Sequence, residues 1–523
     1  MTVKKQRDCR QMEHNNQIKN LEKRIAELEK ENLLLHEKVV FLTRKLYGRT
    51  TEQTSSLGLE GQMSLFDEAE VSADPKAAEP DLKDVASYRR RKHKGQKEEL
   101  LKDLPHEKKL CTLAEEDRFC ETCGTPLVSV GEEFVRTEIE FIPAKVRVID
   151  YYRETFECRK CRKEGKEYME KSPMPYPVIQ HSYASPGAVA WVIHQKYELA
   201  VPLYRQEKEW ENLGVALSRA TMSNWILTSY RNWLSPVVGL LHKKLLEQQY
   251  LHIDETPVQV MNEPDRKNTT DSYMWVYCSI KDAGQPVRQF VYQPGRSGTY
   301  PQKYLKGYHG FIHTDAYKGY EKVSGITRCI CWTHLRRYFV EALPKDVDSP
   351  EATIPAQAVR YINQLFEIEK KLEVLSPAGR KEQRLVQEKP VLDAFWSWVK
   401  ETSPKVLTSS RLGKAFQYAN NQKEGLMNYL LDGNCSISNN LAENSIRPFT
   451  IGRKNWLFSG SPKGAEASAG IYTLIETAKA NGLNPWKYIK FILSDIPGTS
   501  FLEYPEYLEE YMPWDPMIQK LCR

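Results

Sequence analysis

Three acidic residues lie far apart in the chain, and each stands in a context that suits a metal ion. Asp254 lies in YLHIDETPVQV and Asp315 in GFIHTDAYKGY, and both segments read as the ends of buried strands. Glu443 lies in ISNNLAENSIRPFT, which reads as the first turn of a helix. Two carboxylates on neighbouring strands and a third on a facing helix could hold a pair of divalent ions. Such a pair activates a nucleophile and stabilises the leaving oxygen in phosphodiester chemistry.

Neighbouring residues leave alternatives open for these acids. His252 and His313 each precede an aspartate by two positions, so strand alternation places each ring on the face of its carboxylate. We expect the rings to be core groups that orient the carboxylates, although a metal hydrolase could use both as ligands. Glu443 follows Asn440 with the spacing of a capping box, in which it would only satisfy backbone N–H groups. Glu255 falls on the opposite face of a regular strand and is not assigned to the site.

The elements that must position the acids form an α/β pattern from residue 250 onward. YLHIDETPVQV, SYMWVYCSI and VRQFVYQPG read as three consecutive strands, and a helix follows around YPQKYLK. GFIHTDAYKGY reads as a fourth strand, and TRCICWTHLRRYF begins as a fifth. An acid in the first strand and another at the end of the fourth fit a core of ribonuclease-H type. Residues 341–435 read as a helical insertion before the helix of Glu443.

Three segments have the residues of a nucleic-acid contact. The run YRRRKHKGQK contains no acid and is either a phosphate-contacting arm or a solvated stretch. VPLYRQEKEWENLGVALSRATMSNW has helix-turn-helix spacing, which an ordinary helical hairpin shares. Basic and aromatic residues alternate after Glu443, as suits a nucleic-acid backbone. The candidate contacts in these segments are Arg89, Arg90, Arg91, Lys92, Arg219, Ser223, Asn224, Arg447, Arg453 and Lys454.

Four cysteines have the spacing of a structural zinc site. Cys120 and Cys123 form one CxxC pair, and Cys158 and Cys161 form another. Each pair can supply two thiolates to one tetrahedral ion, and the alternating segment between the pairs reads as strands. The pattern predicts a zinc ribbon, with redox pairs or unrelated core cysteines as the alternatives.

Residues 18–46 carry a heptad repeat with Leu at d, mostly β-branched residues at a, and Asn32 at a central a position. This pattern favours a parallel two-stranded coiled coil, and hence a homodimer. The alternative is a single amphipathic helix packed on its own domain.

The overall composition limits the class of protein. The chain has 523 residues, enough for several domains, and a net charge of +6 that only hints at an anionic partner. We find no apolar run long enough to cross a bilayer and no signal peptide, so a cytoplasmic location without a membrane partner is expected.

Long motifs of the chain resemble one family. The stretch from DGNCSISNNLAENSIRPF to AKANGLNPWKYI closely resembles the signature of the insertion-sequence sixty-six transposases (the TnpC type), as do HIDETPVQV, HTDAYKGY and CWTHLRRYF. The coiled coil, LYGRTTEQ, QMSLFDEAE, the basic run and the CxxC pairs occur in the family's order. Small departures, such as Asn444 where the family usually has Arg, remove no catalytic acid.

This resemblance implies a bacterial DDE transposase with a multidomain α/β fold. Asp254, Asp315 and Glu443 would bind two Mg²⁺ or Mn²⁺ ions. His334 and Arg336 match a motif near the site and would contact DNA or the scissile phosphate. The implied partners are double-stranded DNA at the element ends and target, and accessory proteins of the same element. The domains would be 1–49 coiled coil, 50–104 linker with basic run, 105–170 ribbon with structural Zn²⁺, 183–247 helical DNA-binding domain, 248–340 first part of the ribonuclease-H-like core, 341–435 insertion, 436–496 second core part and 497–523 tail.

Two other classes of function remain open on the sequence. A domesticated transposase could bind DNA without catalysis, although all three acids are present. A metal hydrolase acting on small phosphoesters could use the same acids, but it would have no need of a coiled coil, a zinc ribbon and a basic arm.

Overall fold

The computed structural model of the chain describes residues 146–152, 154–157, 169–171, 173–280, 284–344 and 353–523. The described residues from Ile149 onward belong to one compact unit. The predicted coiled coil, the linker and the basic run lie outside the described residues. So do several predicted site residues, namely Arg89, Arg90, Arg91, Lys92, Cys120, Cys123, Cys158 and Cys161.

A mixed sheet forms the centre of this unit. Its strands are β3 (Tyr250–Val260), β4 (Asp271–Ser279), β5 (Arg288–Gln293), β6 (Phe311–Thr314), β7 (Thr327–Ile330) and β8 (Phe458–Ser459), and a two-stranded sheet pairs β1 (Thr155–Glu157) with β2 (Met169–Lys171). The order in the mixed sheet is β5-β4-β3-β6-β7, with β8 beside the end of β3. β4 is antiparallel to β3 and β5, whereas β6 and β7 run parallel to β3. The predicted strands are therefore confirmed, although the fifth is short and gives way to a helix at Trp332.

In the described part of the chain, four α-helices precede the mixed sheet: α1 (Pro186–Ile193), α2 (Leu203–Asn212), α3 (Arg219–Ser229) and α4 (Ser235–Leu246). Ser185 caps α1, since its Oγ accepts from the Ala188 N–H at 3.1 Å. Gly214, with φ of +85°, ends the turn after α2. Ser218 caps α3 by accepting from the Thr221 N–H at 3.2 Å. The predicted helix–turn–helix spacing is therefore present.

The helical insertion shares an apolar cluster with one side of the sheet, which contributes Tyr250, Cys329 and Ile330. α5 (Thr299–Tyr304) lies between β5 and β6, and α6 (Trp332–Glu341) follows β7. The insertion continues with α7 (Ile354–Leu372), α8 (Pro377–Thr402), α9 (Arg411–Asn421) and α10 (Lys423–Met427). Trp332, Leu335 and Phe339 of α6 are buried in the cluster that these helices form. The insertion is thus anchored to the sheet through the helix that follows β7.

The chain then returns to the sheet with α11 (Asn440–Trp456), α12 (Pro462–Ala480), α13 (Pro485–Asp495) and α14 (Pro516–Cys522). α12 covers the outer edge of β5, where Thr473 and Thr477 accept hydrogen bonds from backbone N–H groups of that strand. Phe501, Tyr511 and Ile518 are buried, so the predicted tail packs on the core. Among the described residues, no helix is both long enough and apolar enough to span a membrane.

Candidate active site

Asp254 and Asp315 lie just beyond the paired part of two neighbouring parallel strands. β3 and β6 pair from Tyr250 and Phe311 as far as His252 and His313. Each aspartate follows two residues after that last pair. Both residues therefore lie at the carboxyl end of the β3–β6 pairing. Asp315 follows the end of β6 as predicted, whereas Asp254 lies within β3, which continues to Val260 because it also pairs with β4.

Asp254 is buried, and the charges of three other acids, including Glu443, act on its carboxyl group. Burial raises the pKa of the Asp254 carboxyl well above its usual range, and the negative charges of Glu255, Glu443 and Asp315 raise it further. Charges in a buried site are only weakly screened by water, so these acids can act on Asp254 without touching it. α11 packs on β3, which puts Glu443 on the side of the sheet that carries the aspartates, but the three carboxylates are not all within 4.8 Å of one another.

Glu443 does not form the capping box that its spacing allows. The N-cap of α11 is Asn439, one residue earlier than the box requires, and its side chain makes no cap bond. The Glu443 Oε1 atom lies 3.7 Å from His334 Nδ1. Both atoms are buried without a hydrogen-bond partner among the described residues. The Glu443 carboxylate is therefore available to a ligand rather than committed to its own helix.

His252 and His313 are core groups, as expected. Their rings stack with centroids 4.2 Å apart, and both side chains are buried. His313 Nε2 accepts from the Ser436 N–H at 2.9 Å, and its Nδ1 lies 3.2 Å from the Leu251 carbonyl. Burial and the adjacent His313 lower the pKa of His252 well below its usual range, which keeps that ring neutral. The rings fix the strands that carry the aspartates.

Asn439 joins the helix of Glu443 to the strand of Asp254. Its Nδ2 donates to the Ile253 carbonyl at 2.9 Å, and its Oδ1 lies 3.1 Å from His252 Nδ1. Its backbone N–H donates to Cys331 Sγ at 3.1 Å. The side chain is buried, so these bonds lack competition from water. This role of Asn439 has no local sequence signal, because the neighbouring Asn440 has the capping-box spacing.

We expect Asn439→Ala to lower the free energy of unfolding by about 1–3 kcal/mol, because it leaves a buried carbonyl and a buried imidazole nitrogen without partners. Urea unfolding measures the change. The matched control is Asn440→Ala, on an exposed residue of the same first turn, which should stay within about 0.5 kcal/mol of the parent. Equal losses from the two variants would contradict the assignment.

Arg296 and Glu255 lie beside Asp315, although neither residue was predicted to belong to the site. Arg296 Nη2 lies 2.7 Å from Glu255 Oε1 and 3.8 Å from Asp315 Oδ2. Its guanidinium stacks on the Tyr317 ring, 4.3 Å from the centroid, and Tyr320 donates to Glu255 Oε2. Arg296 therefore partly offsets the charge beside Asp315. A single basic residue in a loop after β5 gives no sequence signal of this contact.

Of the two residues in the CWTHLRRYF motif, only His334 faces the acids. Burial lowers the pKa of His334, while the Glu443 charge opposes that change. Arg336 lies on another side of α6, where its Nε donates to Asn363 Oδ1 of the insertion at 2.7 Å. A contact of Arg336 with DNA remains a prediction.

The other predicted DNA contacts fall in two places. On α11, Arg447 Nε is buried and finds no hydrogen-bond partner among the described residues. Arg453 donates to Thr256 Oγ1 and to the Pro257 carbonyl, so it also fastens α11 to β3, and Lys454 is exposed. On α3, Arg219 and Asn224 are exposed and Ser223 is half-buried. These roles remain predictions.

The acids fit a divalent cation. The charges of Glu443 and Asp315 raise the pKa of the buried Asp254 carboxyl, so a positive charge at this place would favour its ionised form. Carboxylate oxygens are the ligands that Mg²⁺ and Mn²⁺ prefer. The unpartnered Oε1 of Glu443 supplies a ligand atom at this edge of the sheet.

Family models match most of the chain. The model described as "Transposase IS66 family" matches residues 181–467, and "IS66 C-terminal element" matches residues 473–514. The "zinc-finger binding domain of transposase IS66" matches residues 117–162, which include both CxxC pairs, and "Transposase C of IS166 homeodomain" matches residues 34–108.

Similar proteins occur in Sinorhizobium fredii. One, named "Uncharacterized protein y4hP", is 28% identical over 91% of this chain and 88% of its own length. "Uncharacterized protein y4jD" is 26% identical over 94% of this chain and 96% of its own length. Neither name states a function, but the similarity extends over nearly the full length of this chain and of each relative.

Proposed function

Because this chain belongs to the IS66 family of transposases, we propose that it binds the terminal inverted repeats of its element and catalyses metal-dependent DNA cleavage and strand transfer. Asp254, Asp315 and Glu443 are the proposed catalytic acids. The observation that carries the proposal is the placement of the acids on one side of the sheet: Asp254 and Asp315 each follow the last β3–β6 pair by two residues, and the helix of Glu443 is bonded to β3 through Asn439. A protein that only bound DNA would have no need of three carboxylates there.

We assign the core to the ribonuclease-H type. Three antiparallel strands followed by two strands parallel to the first, in the order β5-β4-β3-β6-β7, support this assignment. The fold places one acid on the first strand and one at the end of the fourth, with the third acid on a later helix. The helical insertion enters between α6 and α11 and so separates Glu443 from the aspartates in sequence only.

The three acids would hold two Mg²⁺ or Mn²⁺ ions, which when bound supply the Lewis acidity that activates the attacking oxygen and stabilises the leaving one. The protein contributes position and charge. Arg296 offsets the charge of Glu255 and Asp315, while Arg447, one helical turn beyond Glu443, carries a buried N–H group that suits a phosphate oxygen. Asn439 and the stacked histidines hold the carboxylates at the edge of the sheet.

The proposed DNA contacts lie mainly outside the acids. The zinc-finger region, with structural Zn²⁺ on the four cysteines, the basic run and the α2–α3 pair would hold the inverted repeats. The coiled coil would pair two subunits so that both element ends are processed together. Accessory proteins encoded by the same element are further proposed partners.

The test uses the full-length protein with labelled DNA that carries an element end. We expect binding that weakens steeply with salt, because phosphate contacts release counterions, and cleavage that requires Mg²⁺ or Mn²⁺ and stops on chelation. Salt-dependent binding without cleavage would favour a non-catalytic DNA-binding protein. Hydrolysis of small phosphoesters without DNA binding would favour a metal hydrolase.

Arg219→Ala is expected to weaken binding of element-end DNA about tenfold, because Arg219 is exposed on the first turn of the proposed recognition helix. Filter binding over a salt series measures the affinity and the salt slope, which should fall by about one if the lost contact is to phosphate. Arg231→Ala, on an exposed arginine just beyond the same helix, is the control. An equal loss of DNA affinity in the two variants would indicate only a general effect of positive charge, and it would contradict the role of α3 as the recognition helix.

A further inference from the structure

A second group of side chains that can bind a metal ion lies beside the proposed catalytic acids and shares Glu443 with them. Cys331 Sγ, a His334 ring nitrogen and a Glu443 carboxylate oxygen all lie within 4.8 Å of one another. Cys331 and His334 come from the start of α6, and Glu443 comes from the first turn of α11. Two packed helix ends therefore bring together a sulfur, a nitrogen and an oxygen ligand.

Two of these ligand atoms are buried and not otherwise used. His334 Nδ1 and Glu443 Oε1 face each other at 3.7 Å, without hydrogen-bond partners among the described residues. Ligand atoms around a tetrahedral Zn²⁺ lie about 3.5 Å apart, given metal–ligand distances of about 2.0–2.3 Å. The pair already has about this spacing, and Cys331 Sγ, which lies within 4.8 Å of both atoms, needs to approach them by at most about 1.3 Å.

We propose that Cys331, His334 and Glu443 form a Zn²⁺ site that competes with the catalytic ions for Glu443. A thiolate and an imidazole select Zn²⁺ over Mg²⁺, which takes oxygen ligands in octahedral geometry. Three protein ligands leave a fourth position open to water or to DNA phosphate. Zn²⁺ bound here holds Glu443 toward α6 and away from Asp254, so Zn²⁺ inhibits the Mg²⁺-dependent reaction. The inhibition rests on the proposed function, whereas the site itself does not.

A neighbouring cluster is a natural control. His313, Cys329 and Cys435 also lie within 4.8 Å of one another and are buried. However, His313 Nε2 already accepts from the Ser436 N–H, and its Nδ1 is bonded to the Leu251 carbonyl. This cluster therefore lacks an available imidazole nitrogen, and Cys329→Ser should leave the proposed site intact.

Cobalt is the spectroscopic probe of the site. The full-length protein is first given one equivalent of Zn²⁺ per chain, which goes to the four cysteines of the zinc-finger region because four thiolates bind that ion more tightly than one thiolate, one imidazole and one carboxylate. The proposed site is then still free for Co²⁺. We expect added Co²⁺ to give a thiolate charge-transfer band for one further ion per chain. Cys331→Ser should remove the band, His334→Ala should weaken binding at least about tenfold, and Cys329→Ser should change neither. No further Co²⁺ band, or an unchanged band in Cys331→Ser, would overturn the site.

Cleavage assays test the competition separately. Each variant is compared with its own rate in Mg²⁺ alone, and Cys331→Ser should need at least about tenfold more Zn²⁺ for half inhibition. Equal Zn²⁺ sensitivity of the wild type and Cys331→Ser would overturn the inhibitory role. If the wild type binds Co²⁺ as expected but never cleaves DNA in Mg²⁺, the proposed function fails while the site stands.

Discussion

Asp254→Asn is expected to stop Mg²⁺-dependent DNA cleavage and at the same time to make the metal-free protein more stable. Cleavage should fall at least about 10³-fold, because the variant loses a ligand that no neighbouring group replaces. The free energy of unfolding should rise by roughly 1 kcal/mol, because the neutral amide avoids the burial cost and the repulsion that raise the pKa of Asp254. Single-turnover cleavage and metal-free urea unfolding measure the two effects.

The stability gain has a defined pH dependence. The folded protein holds the Asp254 proton more tightly than the unfolded chain, so the wild type loses stability as pH rises above the ordinary aspartate pKa of 3.8. The variant lacks this loss. Its advantage should be present at neutral pH and shrink as pH falls toward about 4, where the carboxyl is protonated in both states.

Three controls make this result specific to the site. Asp315→Asn and Glu443→Gln should also stop cleavage while binding of DNA persists. Asp271→Asn changes an exposed acid at the start of the neighbouring strand and should leave both cleavage and stability nearly unchanged. Full cleavage by Glu443→Gln would remove Glu443 from the catalytic acids.

Arg384→Leu is expected to cost about 3–5 kcal/mol of stability, because it leaves the half-buried Glu369 carboxylate and several backbone carbonyls without their partner. Arg384 is fully buried on α8 and makes a bidentate ion pair with Glu369, at 2.6 and 2.8 Å. It also donates to the carbonyls of Tyr429, Asp432 and Cys435, which lead into α11. Urea unfolding measures the loss, and cleavage should decline more than DNA binding because this segment positions Glu443.

Lys389→Ala is the matched control on the same helix. Lys389 pairs with Asp393 at 2.5 Å, but both side chains are about half exposed, so the variant should lose less than about 0.5 kcal/mol. The double variant Arg384→Met with Glu369→Met should recover part of the stability, because apolar residues replace a buried ion pair at little cost. If Arg384→Leu were as mild as Lys389→Ala, the network would have no part in holding the insertion to the core.

The sequence by itself determined which segments become strands and helices and which residue types can do chemistry. The alternation in YLHIDETPVQV predicted β3 and placed His252 and Asp254 on one face, because strand geometry fixes that relation within a few residues. The Ser185 and Ser218 caps were likewise readable, since a cap satisfies backbone groups of its own first turn.

Only the tertiary structure decided which of these residues meet. The sequence allowed Glu443 to be a capping residue. In the structure the helix begins one residue too early for that role, because Asn439 is the N-cap and its side chain contacts His252 and Ile253. The contacts of Arg296 with Glu255 and Asp315, and of Cys331 and His334 with Glu443, join elements that are remote in the chain. Local periodicity follows from backbone geometry, whereas the meeting of distant side chains depends on how the insertion and α11 pack against the sheet.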